Sequence, residues 1–179
     1  ALGVPASEVA AALSAALVVP GRLEPVVQGQ PFTVWVDYAH TPGALAEVLD
    51  TARREARGAR VLVVFGCGGE RDAGKRPVMG AVAAARADVA VLTSDNPRSE
   101  DPAAIIEQVR AGARGPAELV VEPDREAAIA MAVEAARPGD VVVVAGKGHE
   151  RHQEIGGAAL PFDDRAVVAE ALRRHGGAR

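Results

Sequence analysis

Residues 60–77 read RVLVVFGCGGERDAGKRP, and this stretch contains the change of local structure on which the fold depends. Its first part, Arg60 to Gly66, is a short run of β-branched and other apolar residues. Near-continuous runs of this kind are typical of strands that are buried on both faces of a parallel sheet. A glycine-rich loop follows, and Pro77 then stands where the first turn of a helix tolerates proline. The stretch therefore predicts a strand, a loop and a helix in succession.

The same alternation continues in both directions along the chain. Four further apolar runs predict strands, at residues 32–37, 88–93, 118–121 and 140–146. Ala-rich segments with helical spacing of apolar residues lie between them, at residues 42–57, 77–86, 102–113 and 125–137. Asp101 and Asp124 are suitable N-caps for the last two. This pattern predicts an α/β fold with a doubly wound, mostly parallel sheet of about five or six strands and flanking helices.

The two ends of the chain depart from this alternation. Residues 5–17 form an amphipathic, Ala-rich pattern, and we interpret residues 1–20 as a connector helix from a preceding domain, which leaves 21–179 as the domain itself. The chain begins with Ala, which indicates processing or a piece of a longer protein. Residues 152–162 predict a hairpin around two adjacent glycines. A last helix is predicted from about residue 163 to His175, whose side chain we expect to be exposed.

Composition excludes several functional classes. The chain has 179 residues, of which 49% are hydrophobic and 25% charged, and this is sufficient for one globular core. Its net charge of −4 and its scattered arginines predict no nucleic-acid partner. No apolar run approaches the roughly 20 residues of a membrane helix, so no membrane insertion is expected. The lone Cys67 suits a reducing cytoplasm and has no histidine nearby in sequence, which argues against a nucleophilic role.

The glycine-rich loop resembles a phosphate loop at residues 69–75, GERDAGK. A phosphate loop requires Ser or Thr after the lysine, because that hydroxyl ligates magnesium. Here Arg76 occupies the position, Pro77 removes a backbone donor, and two acidic residues inside the loop would repel a triphosphate. We therefore interpret the loop as a carrier that uses its glycines to present Arg71.

Polar loops follow four of the predicted strands. They are DYAHTP at residues 37–42, the glycine-rich loop, SDNPR at residues 94–98 and GKGHE at residues 146–150. Ligands of open parallel sheets bind outside the carboxyl ends of the strands, so these loops predict one composite site.

Arg98 is a candidate for carboxylate binding. The preceding Pro97 stiffens the loop, and a guanidinium held in one direction can grip a carboxylate with two parallel hydrogen bonds. Asp95 and Asn96 offer acceptors for an ammonium group. The alternative is an ordinary turn with a capping aspartate and a solvated arginine.

The remaining loops supply further candidates. Gly146 allows close approach of the backbone to a ligand, and Glu150 can pair with a cationic amine. Asp37 and His40 are placed to hold a ribose hydroxyl and a base or phosphate, respectively. The alternatives are a solvated loop at residues 146–150 and an Asx-type cap at Asp37. Taken together, the charged groups indicate a zwitterionic ligand such as an amino acid.

These segments together resemble the C-terminal domain of the Mur ligase family. The resemblance is carried by GRLE at residues 21–24, DYAHTP at 37–42, the glycine-rich loop at 66–77, DNPR at 95–98 and GKGHE at 146–150. The likeness runs from Arg22 to Val168, nearly the whole chain. It implies a Rossmann-like third domain of a three-domain bacterial ligase.

The resemblance also implies roles for individual residues. The DNPR motif marks family members that add meso-diaminopimelate rather than lysine. By position, the residues that would bind this amino acid are Arg71, Asp95, Asn96, Pro97, Arg98, Gly146 and Glu150. Arg98 would grip the distal carboxylate, and Glu150 would take the ammonium beside it. Nucleotide contacts are implied for Arg22, Asp37 and His40.

The reaction implied by the resemblance is an ATP-dependent amide ligation in peptidoglycan synthesis. ATP phosphorylates the terminal carboxylate of UDP-MurNAc-L-Ala-D-Glu, and the amine of diaminopimelate attacks the acyl phosphate. ATP and Mg²⁺ would be bound mainly by a central domain and the sugar nucleotide by an N-terminal domain. No catalytic residue, metal ligand or independent activity is therefore expected here. Two alternatives are the terminal domain of a folylpolyglutamate synthase, which DNPR speaks against, and a standalone nucleotide-binding module.

Overall fold

The computed structural model describes residues 4–9 and 19–177, and no helix within these ranges is long and apolar enough to cross a membrane. The strands are β1 (Glu24–Pro25), β2 (Thr33–Asp37), β3 (Val61–Phe65), β4 (Val89–Leu92), β5 (Glu118–Val121), β6 (Val141–Ala145), β7 (His152–Ile155) and β8 (Ala158–Pro161). The helices are α1 (Pro42–Ala56), α2 (Lys75–Arg86), α3 (Pro102–Gly112), α4 (Arg125–Ala135) and α5 (Asp164–Gly177). Residues 6–9 are helical, and residues 1–3 and 10–18 of the predicted connector lie outside the described residues.

The main sheet has six strands in the order β1-β2-β6-β3-β4-β5. All neighbours are parallel except β1, which runs antiparallel to β2. The strand of this sheet that comes last in sequence is central, since Val143 of β6 lies between Trp35 of β2 and Val63 of β3. Every residue of β3, β4 and β6 is buried, as their unbroken apolar sequences require. The predicted mostly parallel α/β fold is confirmed.

Helices cover both faces of this sheet. Leu45 of α1, Met79 of α2 and Val109 of α3 belong to the core on one face. Ile129 of α4 and Val168 of α5 belong to the core on the other. The two layers leave the carboxyl edge of the parallel strands open for loops, which is where a ligand of such a fold binds.

Helix starts follow the capping chemistry of the sequence. The side chains of Asp101 and Asp124 accept hydrogen bonds from backbone N–H groups in the first turns of α3 and α4, as predicted. Thr41 caps α1 in the same way. Helix α2 begins at Lys75, two residues before Pro77. Proline is tolerated at this third position because the N–H groups of a first helical turn have no intrahelical acceptor, and the fixed φ of proline suits a helix.

The predicted hairpin is formed by β7 and β8, which pair antiparallel across Gly156 and Gly157. Both glycines have left-handed φ values, 58° and 79°. The hairpin stands apart from the main sheet, and Arg98 forms a parallel bridge to Ile155 of β7. The hairpin is therefore attached to the loop that follows β4.

Two features were not predicted correctly. Strand β1 was missed because two residues carry no readable alternation of apolar and polar side chains. The expectation that His175 is exposed is wrong, since its side chain is half-buried and its ring meets Phe32 edge-on at 5.7 Å between centroids. Helix α5 packs back against the sheet and carries His175 with it.

Candidate functional site

The polar loops at the carboxyl edge enclose a cleft of about 390 Å³. Seven of the ten residues predicted for the site line it, namely His40, Arg71, Asp95, Asn96, Arg98, Gly146 and Glu150. The other three, Arg22, Asp37 and Pro97, are not among its lining residues. The two arginines and the glutamate that the sequence predicts to share one pocket therefore do so.

Arg98 is held by backbone and side-chain contacts. Its φ of 55° is left-handed, and its N–H donates to the Glu154 carbonyl at 2.9 Å. Its Nε lies 2.7 Å from a Glu154 carboxylate oxygen, and its Nη1 donates to the carbonyl of Gly69 at 2.7 Å. The hairpin and the glycine-rich loop thus fix the direction of the guanidinium, in addition to the stiffening expected from Pro97.

The glycine-rich loop and the DNPR loop lie in direct backbone contact. The N–H of Gly69 donates to the carbonyl of Asn96 at 2.9 Å. A Cβ at Gly69 would stand 1.9 Å from the carbonyl oxygen of Pro97, which no side chain permits. Glycine at this position therefore allows the loops that carry Arg71 and Arg98 to approach each other.

Arg71 occupies the exposed side of the cleft. Its guanidinium makes no hydrogen bond or ion pair with any residue that the structure describes. All five of its N–H donors are therefore available to a ligand.

Arg76, which stands where a phosphate loop has Ser or Thr, makes structural contacts within the domain. Its side chain is only 2% exposed and forms a two-pronged ion pair with Glu100, with both distances 2.9 Å. It also donates to Gln108 at 2.8 Å and to the carbonyl of Gly68 at 3.2 Å. The hydrogen bonds from Arg76 hold the pKa of Glu100 below its usual value. The arginine in place of the phosphate-loop hydroxyl thus fastens the glycine-rich loop to the body of the domain.

Glu150 belongs to a network with Lys147 and Asn96. Lys147 is fully buried, and its Nζ donates to Asn96 Oδ1 at 2.8 Å and to Glu150 Oε2 at 3.2 Å. Asn96 Nδ2 donates to the same glutamate oxygen at 2.9 Å. Burial works to raise the pKa of Glu150, but these partners lower it overall, so the group stays ionised. The alternative interpretation of Lys147 as a solvated residue is wrong.

Asp95 forms a buried part of the cleft wall. Burial raises the pKa of its carboxyl group, against the opposing charges of Arg125 and Lys147. Gly146 has a φ of 121°, and a Cβ there would lie 2.5 Å from Asp95 Oδ2. The missing side chain at Gly146 therefore leaves room for the Asp95 carboxylate at the cleft.

A buried ion pair lies beneath the site. Arg125 Nε donates to Asp164 Oδ1 at 2.9 Å, and its Nη2 donates to Oδ2 at 2.7 Å and to the carbonyl of Ala145 at 3.1 Å. Neither side chain of the ion pair is exposed to solvent. The pair ties α4 and α5 to the end of β6, immediately before Gly146.

Of the predicted nucleotide residues, His40 lines the cleft, and Arg22 and Asp37 lie beside it, near Tyr38. The guanidinium carbon of Arg22 is 5.0 Å from the centroid of the Tyr38 ring, and the His40 ring is 4.5 Å from it. Both carboxylate oxygens of Asp37 accept backbone hydrogen bonds at 2.8 Å, from Leu23 and Ala39. Asp37 thus fastens the segment around Arg22 onto β2, and this use was not apparent from the sequence.

Cys67 is buried, and burial raises the pKa of its thiol to about 11. A thiol in that state is a poor nucleophile, in agreement with the prediction for this residue. Among the described residues, no three His, Cys, Asp or Glu side chains are grouped as a metal site.

The fold and the site together define a class of protein. It is a doubly wound α/β domain with a charged cleft at the carboxyl ends of its strands. Residues 21–148 match the family described as Mur ligase, glutamate ligase domain. The chain therefore belongs to the Mur ligase family, and the resemblance predicted from its motifs is confirmed.

Similar proteins agree with this assignment. The chain is 52% identical over 169 residues to UDP-N-acetylmuramoyl-L-alanyl-D-glutamate--2,6-diaminopimelate ligase of Solibacter usitatus (strain Ellin6076), covering 94% of this chain and 34% of that protein. A solved structure of a ligase with the same name matches with a TM-score of 0.82 and 42% identity, over 90% of this chain and 33% of the other. The chain thus spans about a third of the length of the curated relatives that it matches.

A more distant likeness shows the fold alone. Folylpolyglutamate synthase of Mycobacterium tuberculosis matches with a TM-score of 0.57 and 22% identity, over 96% of this chain and 35% of that one. The doubly wound domain is thus shared beyond the diaminopimelate ligases.

Proposed function

We propose that this chain is the C-terminal, amino-acid-binding domain of a bacterial ligase that adds meso-diaminopimelate to UDP-MurNAc-L-Ala-D-Glu. The names of relatives about 52% identical support this proposal, and the chain spans a third of their length. The division into a connector at residues 1–20 and a domain at 21–179 is part of the proposal, as is a cytoplasmic location. The match to the family begins at residue 21, in agreement with that boundary.

The main observation in support of the proposal is that two guanidinium groups and two carboxyl groups line the same cleft. Arg71 and Arg98 supply guanidinium groups, while Asp95 and Glu150 supply carboxylates. Diaminopimelate carries an ammonium and a carboxylate at each end, so one of its ends fits such a pairing. Arg98 would bind the distal carboxylate, and Glu150 would bind the ammonium beside it.

The same arrangement accounts for selection against lysine. Lysine lacks the distal carboxylate, so its binding would leave Nη2 of the mostly buried Arg98 guanidinium without a partner, while Nε and Nη1 keep their contacts with Glu154 and Gly69. A site built around a specific polar partner discriminates strongly against an analogue that lacks it, because the desolvated group is left unpaired.

The other end of the amino acid would extend toward the open side of the cleft, where its amine can reach an activated carboxylate held by other domains. ATP supplies the phosphoryl group that activates that carboxylate. Arg22 and His40, gathered around Tyr38, would contact part of the nucleotide, and Asp37 would shape this segment. The Mg²⁺ ligands are assigned to the central domain.

Substitution of Arg98 in the full-length ligase tests the proposal. Removal of a charge-assisted hydrogen-bond partner costs about 1.5–3 kcal/mol, so Arg98→Ala should lower kcat/KM for diaminopimelate about tenfold to a hundredfold. The KM values for ATP and the UDP-dipeptide should stay at their wild-type levels. Arg98→Lys should recover little activity, because an ammonium cannot reproduce the planar two-pronged geometry.

Arg114→Ala is the matched control, since Arg114 is exposed and outside the cleft. The proposal fails if the wild-type ligase does not consume diaminopimelate. The assignment of Arg98 fails if its alanine variant keeps wild-type kinetics for this substrate.

A further inference from the structure

Strand β7 runs along the DNPR loop and is fastened to it residue by residue. Gln153 Nε2 donates to the carbonyl of Asp95 at 2.7 Å, and the N–H of Glu154 donates to Asn96 Oδ1 at 3.0 Å. The N–H of Arg98 donates in turn to the Glu154 carbonyl at 2.9 Å. Glu154 is therefore placed by its backbone directly beside the loop that carries Arg98.

The side chain of Glu154 adds a contact to the guanidinium itself. Its Oε2 lies 2.7 Å from Arg98 Nε, and its Oε1 lies 3.4 Å from His152 Nε2. On the other side of the guanidinium, Nη1 donates to Gly69. No residue in the described part of the chain accepts a hydrogen bond from Nη2, so that nitrogen remains for a ligand in the cleft.

We infer that Glu154 is a positioning residue, which holds the Nε side of Arg98 so that the Nη2 side meets the distal carboxylate of the amino acid. The inference rests on the proposed function and names a residue outside the DNPR and GKGHE motifs. A guanidinium already held in its binding orientation loses less conformational freedom when the ligand arrives, and this strengthens binding. The close contact of the Glu154 oxygen with Nε provides this effect, whereas the negative charge of Glu154 weakens the attraction between Arg98 and the incoming carboxylate.

Two substitutions separate these contributions. Glu154→Ala removes the oxygen that contacts Nε, while Glu154→Gln keeps a polar oxygen at that position and removes the charge. Because the Glu154 side chain is 36% exposed, the change to alanine should raise KM for diaminopimelate by only about two- to fivefold. The glutamine variant should have a KM at or below that of the wild type.

The experiment uses steady-state kinetics of the full-length ligase, with diaminopimelate varied at saturating ATP and UDP-dipeptide. The kcat and the KM for ATP should match the wild type in both variants, and any slow turnover of lysine should be unaffected because lysine has no group for Arg98. A structural defect would change these parameters as well. Glu107→Ala, which breaks an exposed ion pair with Arg110, is the matched control.

The positioning role is overturned if Glu154→Ala keeps the wild-type KM, or if Glu154→Gln raises KM as much as alanine does. If the wild type uses diaminopimelate and Arg98→Ala impairs it while Glu154→Ala does not, only this inference fails. A wild-type ligase that does not use diaminopimelate would overturn both the proposed function and the role of Glu154.

Discussion

Replacement of Asp164 by Asn tests the buried ion pair beneath the site. Asn has nearly the same shape as Asp, so the substitution removes the negative charge without opening a cavity. The carboxylate now accepts two hydrogen bonds from Arg125, at 2.9 and 2.7 Å. After the substitution, one amide oxygen remains as an acceptor, and the amide nitrogen faces a guanidinium that can only donate.

The expected loss of stability is large because solvent does not reach either partner. Both side chains are 0% exposed, so water cannot screen the charge that is left behind. Removal of one partner of a buried ion pair typically costs about 3–5 kcal/mol. We expect about 3 kcal/mol for Asp164→Asn, at the lower end of this range, because one acceptor survives and Ala145 still accepts from Arg125.

Urea unfolding of the chain measures this loss. Trp35 is the only tryptophan and packs against the core beside β6, so its fluorescence reports unfolding. Glu107→Gln is the control, since it changes an exposed pair and should cost less than about 0.5 kcal/mol.

A loss below about 1 kcal/mol for Asp164→Asn would refute the reasoning, because it would mean that the guanidinium is hydrated or repaired in the variant. The double variant Arg125→Met/Asp164→Leu should recover most of the stability, since it buries no charge.

Three further predictions concern single positions. Gly146→Ala places a Cβ 2.5 Å from Asp95 Oδ2 at a φ of 121°, so calorimetric titration should show weaker binding of diaminopimelate and urea unfolding a loss of about 1–3 kcal/mol. Burial works to raise the pKa of Asp140, but hydrogen bonds, chiefly from Arg60, lower it overall. The stabilisation of the folded state by ionised Asp140 is therefore complete above the unfolded-state pKa of about 4. It is lost as the pH falls through the lower native pKa of this group. The gap in unfolding free energy between wild type and Asp140→Asn, about 1–2 kcal/mol at pH 7, should accordingly shrink in urea titrations as the pH falls below about 4. Cys67, with a pKa of about 11, should react with a thiol reagent at pH 8 at least about a hundredfold more slowly than free cysteine until urea is added, and fast labelling of the native chain would contradict its burial.

The strands and helices of the main sheet were predictable because their apolar residues are spaced so regularly. The sequence predicted a strand at residues 140–146, and β6 spans Val141–Ala145. The order of the strands was not predictable, since it depends on pairings such as that of Val143 with Trp35, more than a hundred residues apart in the chain. Local patterns carry no information on such pairings.

The candidate site was predictable where residue types and strand ends sufficed. Arg71, Arg98 and Glu150 follow different strands, and a parallel sheet brings the ends of its strands to one edge. The buried cations Arg76, Lys147 and Arg125 were missed, because in sequence they resemble solvated residues at helix starts and in loops. Their partners are mostly distant in the chain, as Asp164 is from Arg125 and Glu100 is from Arg76, so only the folded structure pairs them.

The central place of β6 has a consequence for synthesis of the protein. A nascent polypeptide that ends before residue 141 contains β1 with β2 and β3 with β4 and β5, but no strand that pairs these two groups into one sheet. Arrival of β6 closes the gap between them and, at the same moment, brings its own trailing loop against the loops made earlier. Ribosomal release of this one segment therefore completes the six-stranded sheet, and a product terminated before it would have two separate groups of strands.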